Sequence, residues 1–325
     1  MTESMYSQKK ILVTGAGGSI GSGLVAALSR VGCQLVLVDH SEFLLFEVLQ
    51  RYKHKSYLAD LRDGRRLTEI FEIEKPEVVF HAAALKHVPL MEENPAEAIK
   101  TNVAGTKHLI ELSVALNVEH FVFISSDKAV KPMSVMGATK RIGEMLCYHH
   151  RQSGKTNFTA VRFGNVLGSS GSVIPLFTEQ IERGGPVTVT HKDMERYFMS
   201  IEQACGLVMQ AGQMGHSGEI FLLDMGEPVR IYDLARAMIL AAGKMPDRDI
   251  ELKVTGLRPG EKLKEEIYRD DEATVPTEVE GIRLVKMTDN PLDFEAGLLR
   301  LMEASTGDQI RSVLAELIAD YSFVV

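Results

Sequence analysis

Short apolar runs alternate with amphipathic stretches along the first half of the chain. The runs are Ile11 to Thr14, Leu35 to Val38, Ser56 to Ala59, Val78 to His81, Phe121 to Ile124 and Phe158 to Phe163. Each is only a few residues long, the length of a strand buried on both faces. Between them apolar residues recur three and four apart, as at Leu24, Leu28 and Val31, which is the period of a helix. Helices are expected over 42–52, 64–73, 95–116 and 134–150. Strand and helix in regular alternation predict an α/β fold, a Rossmann-like doubly wound parallel sheet. After Asn165 the pattern changes to a Gly/Ser-rich loop (Gly168 to Gly171) and a helix beginning near Val173. Gly184-Gly185-Pro186 then turns into a strand from Val187 to Thr190. Glu219 to Leu223 reads as a strand returning to the sheet, with a helix over 231–242, and a last helix is expected from Gln309 to Tyr321. The expected division is a sheet domain, 9–166 joined by 217–243, and a smaller, discontinuous C-terminal domain of 167–216 and 244–325.

Composition changes this picture little. The 325 residues are 45% apolar and 25% charged, as in an ordinary soluble protein. A net charge of −8 argues against a nucleic-acid partner, though not against a small anionic ligand bound by local cations. Cys33, Cys147 and Cys205 are far apart and form no CxxC, so neither a disulfide framework nor a metal site is expected. A reduced, cytoplasmic setting follows. No run approaches the roughly 20 apolar residues of a membrane span, and the N-terminus lacks the apolar core of a signal peptide.

The candidate chemistry gathers at strand ends, where open parallel sheets bind ligands. Gly15-Ala16-Gly17-Gly18-Ser19-Ile20-Gly21 joins the first strand to the first helix. Glycines at Gly15, Gly18 and Gly21 allow a tight turn, and Ser19 and Ile20 open a helix whose N-terminus suits a pyrophosphate. Asp39 ends the second strand, where a carboxylate accepts from ribose hydroxyls and repels a 2′-phosphate, favouring NAD over NADP. Asp60 and Leu61 follow the third strand. Ala82, Ala83 and Ala84 follow the fourth, small enough for a flat cofactor to approach the backbone. Taken singly, these have plainer readings: a glycine loop without ligand, a solvated turn acid. Lys86 and His87 come next, and a loop histidine more often packs than catalyses. Asn102 falls inside a helix, as a surface amide or one that binds nearby backbone. After the fifth strand stand Ser125, Ser126, Asp127 and Lys128. Met136 and Lys140, four apart, share a face of the following helix.

The words TGAGGSIGS (14–22), HAAALKHVPLMEENP (81–95), SSDKAVKPMSVMGATKR (125–141), VRFGNVLGSSGSVIPLF (161–177), RYFMSI (196–201) and LRPGEKL (257–263) occur in this order. Through them the chain resembles the extended short-chain dehydrogenase/reductases. It is most similar to the polysaccharide-biosynthesis and protein-glycosylation UDP-N-acetylglucosamine 4,6-dehydratases, in the branch carrying methionine where a tyrosine is usual. The resemblance implies a bound NAD that takes hydride from C4 of the sugar, elimination of water across C5–C6, and return of the hydride to C6. It implies Asp127 as general acid, Lys128 as the group near C5, and Lys140 on the nicotinamide ribose. It places Asn165 and the following loop to Val173 at the diphosphate and Thr188 against the uracil. Arg196 and Arg258 would lie on the phosphates and Glu261 on the uridine ribose, with Lys86 and His87 beside the substrate.

Met136 cannot take the O4 proton as a tyrosine would. The proton would pass through Ser126 or a water assisted by Asp127 or Lys128, or through another residue such as His87, or the enzyme is dead. A lysine base must be partly neutral, and lowering its pKa by three units takes roughly 4 kcal/mol. Burial with Lys140 or Lys86 nearby would supply that, against Asp127. Burial should likewise raise Asp127 so that it holds a proton.

Other readings remain: a 4-epimerase, a dehydratase that also inverts C5, and a dinucleotide-binding regulator without turnover. The resemblance further implies a homodimer or higher homo-oligomer built on the helices at 95–116 and 134–150. Many relatives carry a membrane-spanning N-terminal region, so the chain is either a soluble member or the cytoplasmic domain of a membrane-anchored parent.

Overall fold

The computed structural model describes residues 5–270, 272–286 and 292–323. Among these residues nine strands make the main sheet: β1 (Lys10–Thr14), β2 (Gln34–Asp39), β3 (Lys55–Leu58), β4 (Val78–His81), β5 (His120–Ile124), β6 (Asn157–Arg162), β7 (Glu219–Leu223), β8 (Thr274–Pro276) and β9 (Ile282–Val285). Their order is β8-β9-β7-β6-β5-β4-β1-β2-β3. From β3 to β7 every neighbour is parallel, while β9 pairs antiparallel with β7 and β8 with β9. This is the Rossmann-like sheet that the alternation predicts. The chain order reverses between β1 and β4, which opens a crevice at their carboxyl ends. Ile11, Leu12, Val13, Val78, Val79, Phe80, Phe121 and Val122 are fully buried there, as strands covered on both faces must be.

The helix expected over 95–116 is continuous but changes its winding. Pro95–Ala98 is α-helical, Ile99–Ala104 is a π-helix, and Gly105–Ala115 is α-helical again. Asn102 lies within the bulge. Its Oδ1 accepts from the Leu85 N–H at 2.8 Å, and its Nδ2 donates to the Leu85 carbonyl at 2.9 Å and Thr139 Oγ1 at 3.0 Å. The amide therefore fixes the loop after β4, and wide turns of this kind occur where a helix serves a site.

Ser134 caps the helix Val135–His149 by accepting from the Gly137 N–H at 3.0 Å. Every residue from Val135 to Cys147 is buried. Part of the cover is the chain's own C-terminus, helices Phe294–Glu303 and Gly307–Leu317, the latter ending at Leu317 rather than Tyr321. Phe294 packs on His149 with ring centroids 5.5 Å apart, and Arg311 Nη2 reaches the Glu92 carbonyl at 3.1 Å. These helices cover part of the pair 95–116 and 134–150 within the chain, while Lys100, Glu111 and Ala115 stay exposed.

A second, smaller core joins Phe177, Val187, Val189, Met194, Ile231, Ala235, Ile239, Ile250 and Leu252. The expected boundaries differ from this packing. β7 does join the sheet, but the helix after it, Ile231–Ala241, belongs to the smaller core. The helix Ile201–Met214, expected in the smaller domain, instead packs on the helix Ser19–Leu28, where Gly23 lets Ile201 and Cys205 approach. The C-terminal helices and β9 also contribute to the large core.

His81, at the end of β4, is fully buried between Thr14 Oγ1 at 2.7 Å and Thr106 Oγ1 at 2.8 Å. Burial, with the Lys140 charge adding to it, pulls its pKa down to about 3. The unfolded chain then binds the extra proton between that value and the ordinary one near 6.5. The stability this provides is complete above the upper limit and is lost as the pH falls. Going from pH 7 to pH 5 should cost about 2 kcal/mol through this residue. Urea unfolding of His81→Gln at both pH values should show a pH dependence smaller by that amount.

Candidate active site

The crevice between β1 and β4 continues into a cavity of about 460 Å³, within the roughly 300–1,000 Å³ range of small-molecule sites. Gly15, Gly18, Asp39, Asp60, Leu61, Ala82 and Ala83 line it, so seven predicted cofactor contacts meet in one place. Gly15 has φ +66°, and a Cβ there would lie 2.6 Å from Ala83 Cα. A Cβ on Gly21 would lie 1.9 Å from the Gly15 carbonyl oxygen. Both glycines are therefore required by space, and the result is a turn with bare backbone facing the crevice. Gly21→Ala should destabilise the fold by about 1–3 kcal/mol. It should also lose most NAD affinity; thermal unfolding and calorimetric titration with NAD check the two effects.

Asp39 is buried and already braced. Its Oδ2 accepts from the Gly17 N–H at 2.9 Å and its Oδ1 from the Ser41 N–H at 2.9 Å. Each oxygen keeps a lone pair for a ribose hydroxyl. Arg62, also on the cavity wall, forks onto Asp60 and reaches Glu97 at 2.8 Å. Its guanidinium holds the Asp60 carboxyl below the usual range. Ser19 lies outside this lining, where its Oγ accepts from the Ser170 N–H at 3.1 Å. The side chain of Ile20 packs on the core.

The second part of the site is the short 3₁₀ turn Asp127–Ala129 beyond β5. The Asp127 N–H donates to the Phe163 carbonyl at 3.1 Å, and Gly137 lets the next helix press on the Lys128 carbonyl. Asp127 is fully buried. Its Oδ1 accepts from Ser126 Oγ at 2.9 Å and from Lys128 Nζ at 3.0 Å, whereas Oδ2 is buried with no partner. Burial pushes the Asp127 carboxyl up; Lys128 opposes this and the charge of Glu265 adds to it. A protonated Oδ2 is what a general acid needs.

Lys128 departs from expectation. Arg196, rather than the Lys86 or Lys140 expected, is the cation that acts to depress Lys128. Its Nζ lies 3.0 Å from Asp127 and 3.2 Å from Glu265, with 22% of its side chain exposed. Burial pulls it down, but the two carboxylates outweigh burial and the net push is upward. The two carboxylates thus favour the ammonium form of Lys128.

Lys140 is the lysine that loses its proton readily. Burial pulls it down to about 8, against the Glu144 charge. Its Nζ donates to the Ile124 carbonyl at 2.8 Å and lies 4.9 Å from the Phe123 ring centroid. Met136 is 3% exposed and packs in the main core.

The remaining predicted contacts are spread around this centre. Lys86 Nζ donates to the Ser170 carbonyl at 2.8 Å, and the His87 ring lies against Gly171. Both residues thus touch the Gly/Ser-rich loop, which also meets Ser19. Asn165 forms a short parallel pair with Phe198, and Val173 opens the helix Val173–Glu182. Thr188 Oγ1 accepts from Gln180 at 2.8 Å. Arg196 is buried and donates to the carbonyls of Glu195 at 2.7 Å, Lys262 at 2.7 Å and Leu263 at 3.2 Å. Arg258 and Glu261 line a separate cleft of about 620 Å³ with Lys131, Lys262 and Lys264. The structure does not bring those two into the cavity beside Gly15.

Sequence reasoning passed over Glu265, which nothing but burial distinguishes from exposed Glu266, and the buried pair Arg162 and Glu144. No group of His, Cys, Asp and Glu suited to a metal ion occurs among the described residues. Among them, too, no helix is long and apolar enough to cross a membrane.

The family described as "Polysaccharide biosynthesis protein" matches residues 11–287, and the chain belongs to it. The capsular polysaccharide biosynthesis protein CapD of Staphylococcus aureus is 50% identical over 276 residues, 82% of this chain and 46% of the relative. The chain thus spans about half the length of that relative. A UDP-glucose 4-epimerase of Rickettsia conorii is 32% identical (89% of this chain, 86% of that one). A UDP-N-acetylglucosamine 4,6-dehydratase (inverting) of Campylobacter jejuni is 31% identical (91% and 89%). Among solved structures, Pen from Bacillus thuringiensis superposes with a TM-score of 0.80 at 33% identity, covering 86% of this chain and 90% of Pen. The chain is an extended short-chain dehydrogenase/reductase of the nucleotide-sugar dehydratase and epimerase group related to polysaccharide biosynthesis.

Proposed function

We propose that the protein catalyses NAD-dependent 4,6-dehydration of UDP-N-acetylglucosamine to a UDP-4-keto-6-deoxy-N-acetylhexosamine. The observation that carries this reading is the buried Asp127 beside Lys128 at the end of β5, with methionine at position 136. An epimerase moves hydride at C4 alone and has no use for an acid that protonates a leaving hydroxyl. The bare turn at Gly15 and Gly21, the braced Asp39 and the lined cavity suit NAD, with Lys140 on its ribose. NAD there supplies reversible hydride acceptance.

The chain's own residues then divide the proton work. Asp127 gives its proton to the departing C6 hydroxyl. Lys128 passes its own ammonium proton to solvent, which its partly exposed side chain reaches, and then takes the C5 proton. Ser126, already donating to Asp127 and accepting from the Lys128 N–H at 3.2 Å, offers the O4 proton a route that Met136 cannot. Arg196, and with it Arg258, is suited to phosphate by its planar donors. A homodimer or higher homo-oligomer built on the helices at 95–116 and 134–150 belongs to the same reading.

Incubation of the purified protein with UDP-N-acetylglucosamine, followed by mass spectrometry, tests the reading. A product lighter by one water is expected. A C4 epimer of unchanged mass would give the epimerase instead, and unreacted substrate on NAD-loaded protein would give the regulator.

A further inference from the structure

Glu265 enters the catalytic turn from a different part of the chain, the segment after the LRPGEKL word. Its side chain is 3% exposed. Oε1 lies 3.2 Å from Lys128 Nζ and 3.7 Å from Arg196 Nε, while Oε2 is buried with no hydrogen-bond partner. Asp127 Oδ2 is buried and partnerless in the same way. Two buried carboxyl groups thus flank one ammonium. Two carboxylates so placed do not both ionise easily, and the proton settles on the one with fewer cations beside it. Glu265 has Lys128, Arg196 and Lys262 near it; Asp127 has Lys128 and the Ser126 hydroxyl, with Lys262 acting on it more weakly than on Glu265 and the Tyr197 hydroxyl feeling its charge.

We propose that Glu265 is a positioning residue for the acid–base pair, a second carboxylate that clamps the Lys128 ammonium and leaves the proton on Asp127. The assignment rests on the reading of Asp127 and Lys128 given above. It agrees with the directions of the two carboxyl groups. Burial raises Glu265, yet Lys128, Arg196 and Lys262 carry it below its usual range, while Asp127 is pushed up. Glu265 touches neither reacting carbon in this account; it acts through Lys128 and Asp127.

Glu265→Gln keeps the shape and removes the charge. Lys128 then loses an anion and deprotonates at lower pH; Asp127 loses a like charge and ionises at lower pH. Both limbs of the kcat/KM profile should move to lower pH by about 1–3 pH units. A role in packing alone would lower the rate at every pH and leave the limbs in place, which would overturn the proposal.

A second measurement needs no substrate. Acylation of Lys128 in the ligand-free protein, followed by mass spectrometry across a pH series, should show its midpoint lowered by a similar amount in Glu265→Gln. Glu265→Asp should fall between that variant and the wild type. Equal midpoints in all three proteins would contradict the clamp even if UDP-N-acetylglucosamine proved not to be the substrate. A shifted midpoint without turnover would keep the clamp and reject the dehydratase.

Discussion

Asp127→Asn should lower kcat for dehydration by about 10²–10⁴-fold, the usual worth of a positioned general acid. The substitution isolates the proton from the geometry. Oδ1 of asparagine can still accept from Ser126 Oγ and Lys128 Nζ, now at 2.9 and 3.0 Å. Nδ2 takes the place of the partnerless Oδ2, and its hydrogens cannot be given up to a leaving hydroxyl. NAD binding should be unchanged, because Asp127 is not among the residues lining the cavity beside Gly15. Steady-state kinetics with a parallel NAD titration checks both statements. A variant that retained wild-type kcat would remove Asp127 from the mechanism.

Arg162→Met should be the most destabilising single change away from the site, costing about 3–5 kcal/mol. Arg162 is fully buried on β6. It donates to Glu144 at 2.6 and 2.8 Å and to Glu272 at 2.7 and 2.9 Å, both pairs bidentate. Arg141 adds a contact to Glu144 at 3.1 Å, and Ser125 Oγ donates to Glu144 Oε1 at 2.7 Å. The network therefore ties the sheet, the helix Val135–His149 and the C-terminal segment to the residue that precedes Ser126. Removing the arginine leaves Glu144 and Glu272 buried with, among the described residues, only the cation of Arg141, which is why the loss exceeds that of a surface ion pair. A lowered urea midpoint with an unchanged slope would show it.

The parallel strands β1 to β7 were legible because each is a short, largely apolar run bounded by a polar or glycine turn, whereas the antiparallel pair β8 and β9 was not read from the sequence. Gly15, Gly21 and Asp39 were legible for a related reason: their chemistry depends on position within one turn or at one strand end. The residues that stayed hidden depend on distant partners. Arg162 looks like an interruption of the run Phe158 to Phe163, and its meaning comes from Glu144 and Glu272. The charge on Lys128 is decided by Glu265, one acid in the run from Glu261 to Glu266 with no periodic mark of burial. Asn102, within the π-helix, bonds across to Leu85, a long-range partner that no local propensity encodes. The helix Ile231–Ala241 carries the same apolar stripe whichever core it joins, so its partners in the smaller core could be read only from the fold.

Deuterium incorporation tests the central claim most directly, that Asp127 and Lys128 perform an elimination across C5–C6. Wild-type protein is incubated with UDP-N-acetylglucosamine in deuterated water, and the product is analysed by mass spectrometry and proton NMR. The account predicts loss of one water and gain of one solvent deuterium at C5, with the deuterium absent from recovered sugar when Lys128→Met is used. A product without deuterium at C5, or wild-type exchange in Lys128→Met, would contradict it.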